Sequence, residues 1–215
     1  MMRYAITKNA VILSLFAIGT AAALAVTNEL TINKVDCNRQ QALMRSLNEV
    51  MPHDLHDNDL LADRITVTDP LLGRNEHHIY RARLADQASG AVLEATAPDG
   101  YGGNIALIVG VNAQGTVSGV RVVPPHNETP GLGDSIETKK SDWIYRFDGR
   151  SLDNPVEAGW AVKKDGGEFD SFTGATITPR AVVGAVHRAL QYFDANRDNL
   201  FAADAETVAA EVCDE

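Results

Sequence analysis

The residues best suited to chemistry lie in the run 170–179, which reads DSFTGATITP. Thr178 suits a helix N-cap and Pro179 suits the first helical position, so the run predicts a helix that starts there. The unpaired N–H groups and the positive dipole end of such a helix favour an anion such as a phosphate. Gly174 leaves room for a ligand close to the backbone. The predicted helix has an apolar face formed by Val182, Val186, Ala189, Leu190 and Phe193.

This run resembles the flavinylation motif of the covalently FMN-bearing subunits of the Rnf and Na+-translocating NADH:quinone reductase complexes. The motif reads Asp, two variable residues, Ser or Thr, Gly, Ala, Thr. Its defining positions are filled here by Asp170, Thr173, Gly174, Ala175 and Thr176. The resemblance implies that Thr176 carries FMN through a phosphodiester bond, and that Asp170 belongs to the sequence recognised by a separate flavin transferase. Taken alone, the run would also suit an ordinary capped helix after a polar loop.

A second segment, HNETPGLG at residues 126–133, is rich in turn-forming residues and suits a ligand-contacting loop. It resembles the Glu-Thr-Pro-Gly-Leu-Gly segment of the same family, in the same order relative to the threonine motif. The resemblance implies that Glu128 and Thr129 form hydrogen bonds near the flavin. It also implies that Leu132 packs on the isoalloxazine ring.

Further segments extend the resemblance from the N-terminus to about residue 193. The turn 99–103 is similar to the glycine turn before the family's central hairpin, which makes Tyr101 a stacking candidate. Residues 141–144 and 163–167 are similar to the Rnf branch of the family. Lys163 or Lys164 is expected near the flavin or its phosphate, and the resemblance does not choose between them.

The N-terminus carries a candidate membrane anchor, because Ala10 to Val26 contains no charged residue. As a helix this stretch spans roughly 26 Å, close to the roughly 30 Å hydrocarbon core of a bilayer. Arg3 and Lys8 precede it and Glu29 follows it, which predicts a cytoplasmic N-terminus and a periplasmic domain. A cleaved signal peptide is the alternative.

Composition excludes several other classes of protein. The net charge of −10 is opposite to the basic footprint of a nucleic-acid-binding protein. Cys37 and Cys213 have no spacing typical of a zinc or iron–sulfur site, and they form either a disulfide or two thiols. His77 and His78 would point to opposite faces of a strand, which argues against a shared metal. The chain has no dinucleotide fingerprint after a strand.

Alternating apolar patterns predict strands at 64–68, 79–84, 92–97, 104–111 and 116–123, with a hairpin turn at 112–115. Helices are expected at 38–51 and 199–212. The predicted fold is α+β: a single N-terminal transmembrane helix, then an FMN-binding domain with an antiparallel sheet and flanking helices. The expected divisions are an anchor at 1–30, a linker helix and first part of the domain at 31–90, the FMN-binding domain at 91–195 and a C-terminal helix at 196–215.

The function implied by the resemblance is electron transfer in a membrane-bound Rnf-type ferredoxin:NAD+ oxidoreductase coupled to ion translocation. The implied cofactor is covalent FMN, and the chain itself is expected to hold no independent catalytic site. The implied partners are other membrane subunits, including a second covalent-flavin subunit and iron–sulfur subunits. The alternatives are the C subunit of a Na+-translocating NADH:quinone reductase, a membrane-anchored module that binds FMN noncovalently, and an anchor without a cofactor.

Overall fold

The computed structural model describes residues 2–205, without the side chains of residues 2–5 and 36. The chain divides between Leu43 and Met44 into two compact units. Helix α1 (Met2–Val50) begins in the first unit and ends in the second. Its residues 6–35 are exposed, and it is the one helix of the described chain long and apolar enough to cross a membrane. Its most apolar window has a mean hydropathy of 2.2.

Helix α1 is continuous where the sequence predicted an anchor and a separate helix at 38–51. Residues 27–50 contain no Gly or Pro, so nothing in the chain interrupts the helical hydrogen bonds. Met51 lies outside the helix because Pro52 follows it, and a residue before proline avoids the helical conformation.

The second unit is built on a five-stranded antiparallel sheet in which neighbouring strands are consecutive in the chain. This arrangement, with α1 before it and α2 after it, confirms the predicted α+β class. The strands are β1 (Arg64–Val67), β2 (His77–Leu84), β3 (Gln87–Gly100), β4 (Gly103–Asn112) and β5 (Val117–Val123). Short 3-10 helices span Gly133–Ile136, Trp143–Phe147, Glu157–Gly159 and Lys163–Asp165, and helix α2 spans Ile177–Ala202.

The predicted β4–β5 hairpin is present, and side-chain bonds hold its turn. Asn112 Oδ1 accepts hydrogen bonds from the N–H groups of Gln114 and Thr116, each at 3.0 Å. The predicted pairing of strands 79–84 and 92–97 is present as β2 and β3, but the sequence did not locate the turn between them. This turn has positive φ at Ala85 (52°) and Asp86 (63°), a conformation that Gly or Asn usually signals.

The two faces of the sheet are covered by different helices. The predicted apolar face of α2 is buried in the main core, in contact with β3 and β4. On the other side the end of α1 crosses β4 and β5, where a Cβ on Gly119 would lie 3.0 Å from the Cα of Val50. Ser118 donates a hydrogen bond to the Val50 carbonyl, and Arg121 Nε lies 2.7 Å from Glu49 Oε2.

A buried arginine ties the end of α2 to the sheet. Arg81 on β2 is 2% exposed; it pairs with Asp63, and its Nη1 donates to the carbonyls of Leu200 (3.0 Å) and Ala203 (2.5 Å). Its charge therefore lies at the carbonyl end of the helix, where the helix dipole favours a cation.

The predicted C-terminal helix at 199–212 is wrong at its start, because residues 199–202 are the last turn of α2 and residues 203–205 are not helical. Residues 206–215 lie outside the described residues. Cys213 lies there too, so the choice between a Cys37–Cys213 disulfide and two thiols falls outside the described structure. Cys37 itself is not a free thiol.

The paired histidines diverge as expected. The ring of His77 is buried, with Nε2 3.0 Å from Thr96 Oγ1, whereas His78 Nδ1 lies 2.9 Å from Thr66 Oγ1. Among the described residues, no group of three or more His, Cys, Asp or Glu is arranged to hold a metal ion.

Candidate functional site

The threonine-rich loop is closed by a tight turn. The Phe172 carbonyl accepts a hydrogen bond from the Ala175 N–H at 3.1 Å, which places Thr173 and Gly174 at the two central positions. Gly174 has a φ of 83°, and Thr173 has a negative φ. This combination defines a type II turn, whose third residue is normally Gly because a side chain there is strained. The glycine of the motif is therefore required by the backbone.

Helix α2 begins two residues earlier than predicted. Its N-cap is Thr176, whose carbonyl accepts a hydrogen bond from the Arg180 N–H at 3.2 Å. The predicted N-cap, Thr178, is instead the second helical residue, and its hydroxyl donates to Glu128 Oε2. Pro179 therefore occupies the third helical position, where an N–H would have no intrahelical acceptor in any case.

The three motif threonines differ in environment. Thr173 is exposed in the turn, and Thr178 is completely buried with its hydroxyl engaged. Thr176 is half-buried, and its hydroxyl makes no capping hydrogen bond. Only Thr176 combines solvent access, an uncommitted capping position and a place at the start of a long helix.

Glu128 joins three segments of the site. Its side chain is 5% exposed; Oε2 accepts the Thr178 hydroxyl, and Oε1 accepts the Gly102 N–H at 2.9 Å. A Cβ on Gly133 would lie 2.7 Å from Glu128 Oε2, so glycine is needed for this approach. The carboxylate thus connects the β3–β4 turn, the 126–133 loop and the first turn of α2.

A cavity of about 210 Å³ lies beside the start of α2. It brings together six of the predicted site residues from three separate segments. Apolar surface comes from Tyr101, Leu132 and Ile177, which are 68%, 41% and 45% exposed. The lining residues are Tyr101, Thr129, Leu132, Gly133, Gly174, Ala175, Thr176, Ile177 and Thr178.

Five other predicted site residues do not line this cavity: Glu128, Lys163, Lys164, Asp170 and Thr173. Glu128 lies behind its wall, because both carboxylate oxygens are bonded to Gly102 and Thr178. The hydrogen bond of Glu128 near the flavin stays a prediction; in the structure its oxygens accept hydrogen bonds from the Gly102 N–H and the Thr178 hydroxyl.

Asp170 is held by cations and by an indole. Lys163 Nζ lies 2.7 Å from its Oδ1 and Arg146 3.6 Å from its Oδ2. The Lys163 hydrogen bond is the main cause that lowers the pKa of Asp170 below its usual value. Trp143 Nε1 donates to the Asp170 carbonyl at 2.7 Å, which fixes the start of the loop. Of the two candidate lysines, Lys163 is therefore the one connected to the motif.

Lys164 faces a different acid. The pKa of Asp165 is lowered mainly by a hydrogen bond from Arg180 Nε at 2.6 Å, and the charge of Lys164 adds to this effect. The Asp165–Arg180 ion pair joins the 163–165 helix to the first turn of α2.

Sequence reasoning missed the Glu128–Thr178 bond and the lining role of Ile177. The two bonded residues are 50 positions apart, so no local pattern connects them. The only available signal for Ile177 was its position between two threonines at a helix start.

Comparison with known proteins agrees with this geometry. The FMN-binding domain family matches residues 100–191, and the RnfG N-terminal region matches residues 1–50. A relative from Pseudomonas aeruginosa, strain UCBPP-PA14, is 51% identical over 93% of this chain and 94% of its own length. Relatives from Pseudoalteromonas atlantica (49%, covering 95% and 96%) and Salmonella typhimurium (48%, covering 87% and 90%) are similar. Each of the three is named as the G subunit of an ion-translocating oxidoreductase complex.

The antiparallel sheet, the loop-lined cavity at the start of α2 and the matched segments define an FMN-binding-domain protein with an N-terminal apolar helix. More particularly, the chain belongs to the family of G subunits of ion-translocating oxidoreductase complexes. The predicted assignment to the Rnf branch is confirmed. None of these three relatives is named as the C subunit of a quinone reductase, which was the alternative.

Proposed function

We propose that the chain carries FMN covalently on Thr176 and passes electrons between neighbouring subunits of its complex. The observation that carries this proposal is the contrast among the three motif threonines. Thr176 lines the cavity with a hydroxyl that makes no capping bond, Thr173 lies outside the cavity, and the Thr178 hydroxyl is bonded to Glu128.

The start of α2 suits a phosphoryl group attached to Thr176. The N–H groups of Ile177 and Thr178 belong to the first turn, where a helix has no internal acceptors for them. Together with the positive end of the helix dipole, these donors favour an anion at this position. Gly174 and Ala175 add no bulk to the adjoining cavity wall.

The remaining lining residues suit a flat aromatic ring. Leu132 and Ile177 supply apolar surface, Tyr101 supplies an aromatic face, and Thr129 supplies a hydroxyl at the edge. Bound FMN supplies one- and two-electron redox chemistry. The cavity is smaller than the roughly 300–1,000 Å³ typical of sites that enclose a ligand. We therefore expect the ring to remain partly exposed, where a neighbouring subunit can approach its edge.

The loop before Thr176 suits recognition by a separate flavin transferase. Thr173 is exposed and the side chain of Asp170 is 40% exposed, and Lys163 pairs with the Asp170 carboxylate at 2.7 Å. We propose that the transferase recognises Asp170 during attachment. Afterwards the ion pairs of Asp170 with Lys163 and Arg146 orient the loop. A covalent bond would retain the cofactor outside the cytoplasm.

The remaining proposals concern place and partners. Arg3 and Lys8 lie before the apolar part of α1, so we propose a single-pass anchor with its N-terminus in the cytoplasm and the flavin domain in the periplasm. The proposed divisions are the anchor (1–30), the linker part (31–90), the FMN-binding domain (91–195) and the C-terminal segment (196–215). We propose that the partners include a second covalent-flavin subunit and iron–sulfur subunits.

The test is attachment in the full chain, expressed in membranes with its flavin transferase. Thr176→Ala should abolish the fluorescent band on a denaturing gel, and the peptide containing residue 176 should have its unmodified mass. Ser171→Ala is the matched control, because it removes a hydroxyl from a variable position of the same motif and should still carry FMN. The control also measures any effect of the loop substitution on recognition.

Covalent flavin that persists in the Thr176→Ala protein would contradict the assignment and direct attention to Thr173. Yellow protein whose flavin is released by acid would favour the noncovalent binding module. Wild-type protein that is colourless in the presence of the transferase would favour an anchor without a cofactor.

A further inference from the structure

A second and larger cavity, of about 570 Å³, lies between residues 68–75, the region of the β3–β4 turn and the middle of α2. Its volume is within the roughly 300–1,000 Å³ range of small-molecule sites. It shares no lining residue with the cavity at Thr176. Arg188, which lines it, is twelve residues beyond Thr176, about 18 Å along the helix at about 1.5 Å per residue.

Two uncommitted cations line this second cavity. Arg74 is on the loop between β1 and β2, and Arg188 is half-buried on α2. In residues 2–205 neither guanidinium forms an ion pair or hydrogen bond, whereas Arg81, Arg121 and Arg180 are each paired with a carboxylate. Both guanidinium groups therefore remain available to an anion in the cavity.

The polar groups around the arginines are suited to an oxygen-rich molecule. Asn75, Asn104 and Thr96 offer amide and hydroxyl groups, and Asp99 is the single acid of the lining. The carboxylate of Asp99 accepts hydrogen bonds only, so it matches a hydroxyl on a ligand. The two arginines outnumber it, which leaves a net positive charge for an anionic group.

The walls of the cavity are held in place before any ligand arrives. Asp69 Oδ1 accepts the Leu71 N–H at 2.8 Å, and the Thr96 N–H donates to the Leu72 carbonyl at 2.7 Å. Gly73 has a φ of 147°, and a Cβ there would lie 2.7 Å from the His77 ring. The loop that carries Arg74 is therefore attached to β3 on one side of the cavity.

We propose that this cavity binds a small soluble organic anion that carries a phosphate or carboxylate group together with hydroxyl groups. Arg74 and Arg188 bind the anionic group, because a guanidinium offers paired N–H donors that match its oxygens. Asp99 and the two asparagines bind the hydroxyl groups. The site is separate from the proposed flavin site and does not depend on the attachment at Thr176.

The test is calorimetric titration of the full flavinylated chain in a non-ionic detergent. The probes are glycerol 3-phosphate and malate, which carry the two kinds of anionic group beside hydroxyls, and glycerol is the neutral control. We expect saturable binding of at least one anion and none of glycerol. Arg74→Gln and Arg188→Gln should each weaken that binding by about tenfold or more.

Lys139→Gln is the matched control, since it removes one positive charge from an exposed side chain outside the cavity. It should leave binding unchanged. Because Arg188 is half-buried, Arg188→Lys is measured too: it keeps the charge and the aliphatic stem but loses the planar fork, and should also weaken binding.

Melting temperatures without ligand establish that each variant is folded. Absence of saturable binding for both anions in the wild-type chain would overturn the proposal. So would binding by a folded Arg74→Gln or Arg188→Gln chain that is as tight as that of Lys139→Gln.

Discussion

The Glu128 carboxylate is the point where the three segments of the flavin site meet, and its replacement distinguishes positioning from cofactor contact. Its two oxygens accept the Thr178 hydroxyl and the Gly102 N–H. Glu128→Ala removes both acceptors from a buried place. Glu128→Gln keeps an oxygen for Gly102 and presents an amide N–H to Thr178, whose hydroxyl can accept it. Thr178→Val removes only the hydroxyl and keeps the shape.

The magnitudes follow from the number of partners lost. Thr178→Val removes a hydrogen bond to a charged acceptor, which contributes about 1.5–3 kcal/mol to the free energy of unfolding. Glu128→Ala leaves two buried donors unsatisfied, each at a cost of about 1–3 kcal/mol, in addition to the lost packing. Glu128→Gln should cost no more than about 1 kcal/mol. For a unit of this size each kcal/mol lowers the melting temperature by about 2–4 °C.

The assay is thermal unfolding of the full chain, followed by circular dichroism, with FMN content per chain measured on the same samples. We expect melting temperatures in the order wild type, Glu128→Gln, Thr178→Val, Glu128→Ala. Thr173→Val is the control, because that exposed side chain should change stability by no more than about 0.5 kcal/mol. FMN content should follow stability across the Glu128 and Thr178 variants. Thr173→Val is compared for stability alone, because Thr173 is a defining position of the flavinylation motif.

Two results would refute this reasoning. If Thr178→Val melts at the wild-type temperature, the Glu128–Thr178 bond does not hold the site together. If Glu128→Gln shifts the flavin absorption spectrum or reduction potential while the melting temperature is unchanged, then the side chain contacts the cofactor, as the sequence predicted.

Two further predictions test the turn and the titration of the domain. Gly174→Ala should destabilise the chain by about 1 kcal/mol or more because of the positive φ of Gly174, and should reduce FMN attachment in the gel assay. Gly149→Ala is the control: this residue has a φ of 75° in open space, so the substitution should have a similar backbone cost but leave attachment complete. Burial lowers the pKa of His187 below its usual 6.5, so the unfolded chain binds the proton more readily. The contribution of His187 to the free energy of unfolding is present above its unfolded-state pKa and should be lost as the pH falls through its folded-state pKa. Urea unfolding between about pH 7 and 5 should therefore show a smaller loss of stability for His187→Gln than for wild type.

Much of the fold could be predicted from periodicity. The alternation in β4 and β5 identified a central hairpin because its turn carries Gly115, and the stripe on α2 was right at every named position. The pairing of β2 with β3 was predicted, but the turn between them was missed because Ala85 and Asp86 adopt positive φ without a glycine to signal it. The start of α2 was misplaced because N-cap preferences depend only on neighbouring residues. The hydroxyl of Thr178 instead donates a hydrogen bond to Glu128, which lies on another loop.

The candidate site was predictable where spacing within one loop decides it, and less so where tertiary contacts do. Gly174 could be assigned because its conformation is local. The choice between Lys163 and Lys164 could not be made from sequence, because it depends on which side of a 3-10 turn faces Asp170. The hydrogen bonds of Glu128 to Gly102 and Thr178 likewise depend on how three segments of the chain meet.

The hydrogen bonds from Arg81 to the last turn of α2, called the clamp here, indicate how much of the chain is needed for independent folding. The segment matched by the FMN-binding domain family, 100–191, contains β4, β5 and the first turns of α2, but it omits β1, β2 and nearly all of β3. It also omits both halves of the clamp, Arg81 on one side and the Leu200 and Ala203 carbonyls on the other. We therefore expect the segment 100–191 to be too short to fold by itself. Excising or grafting that segment would require chain from the end of α1 through at least Ala203.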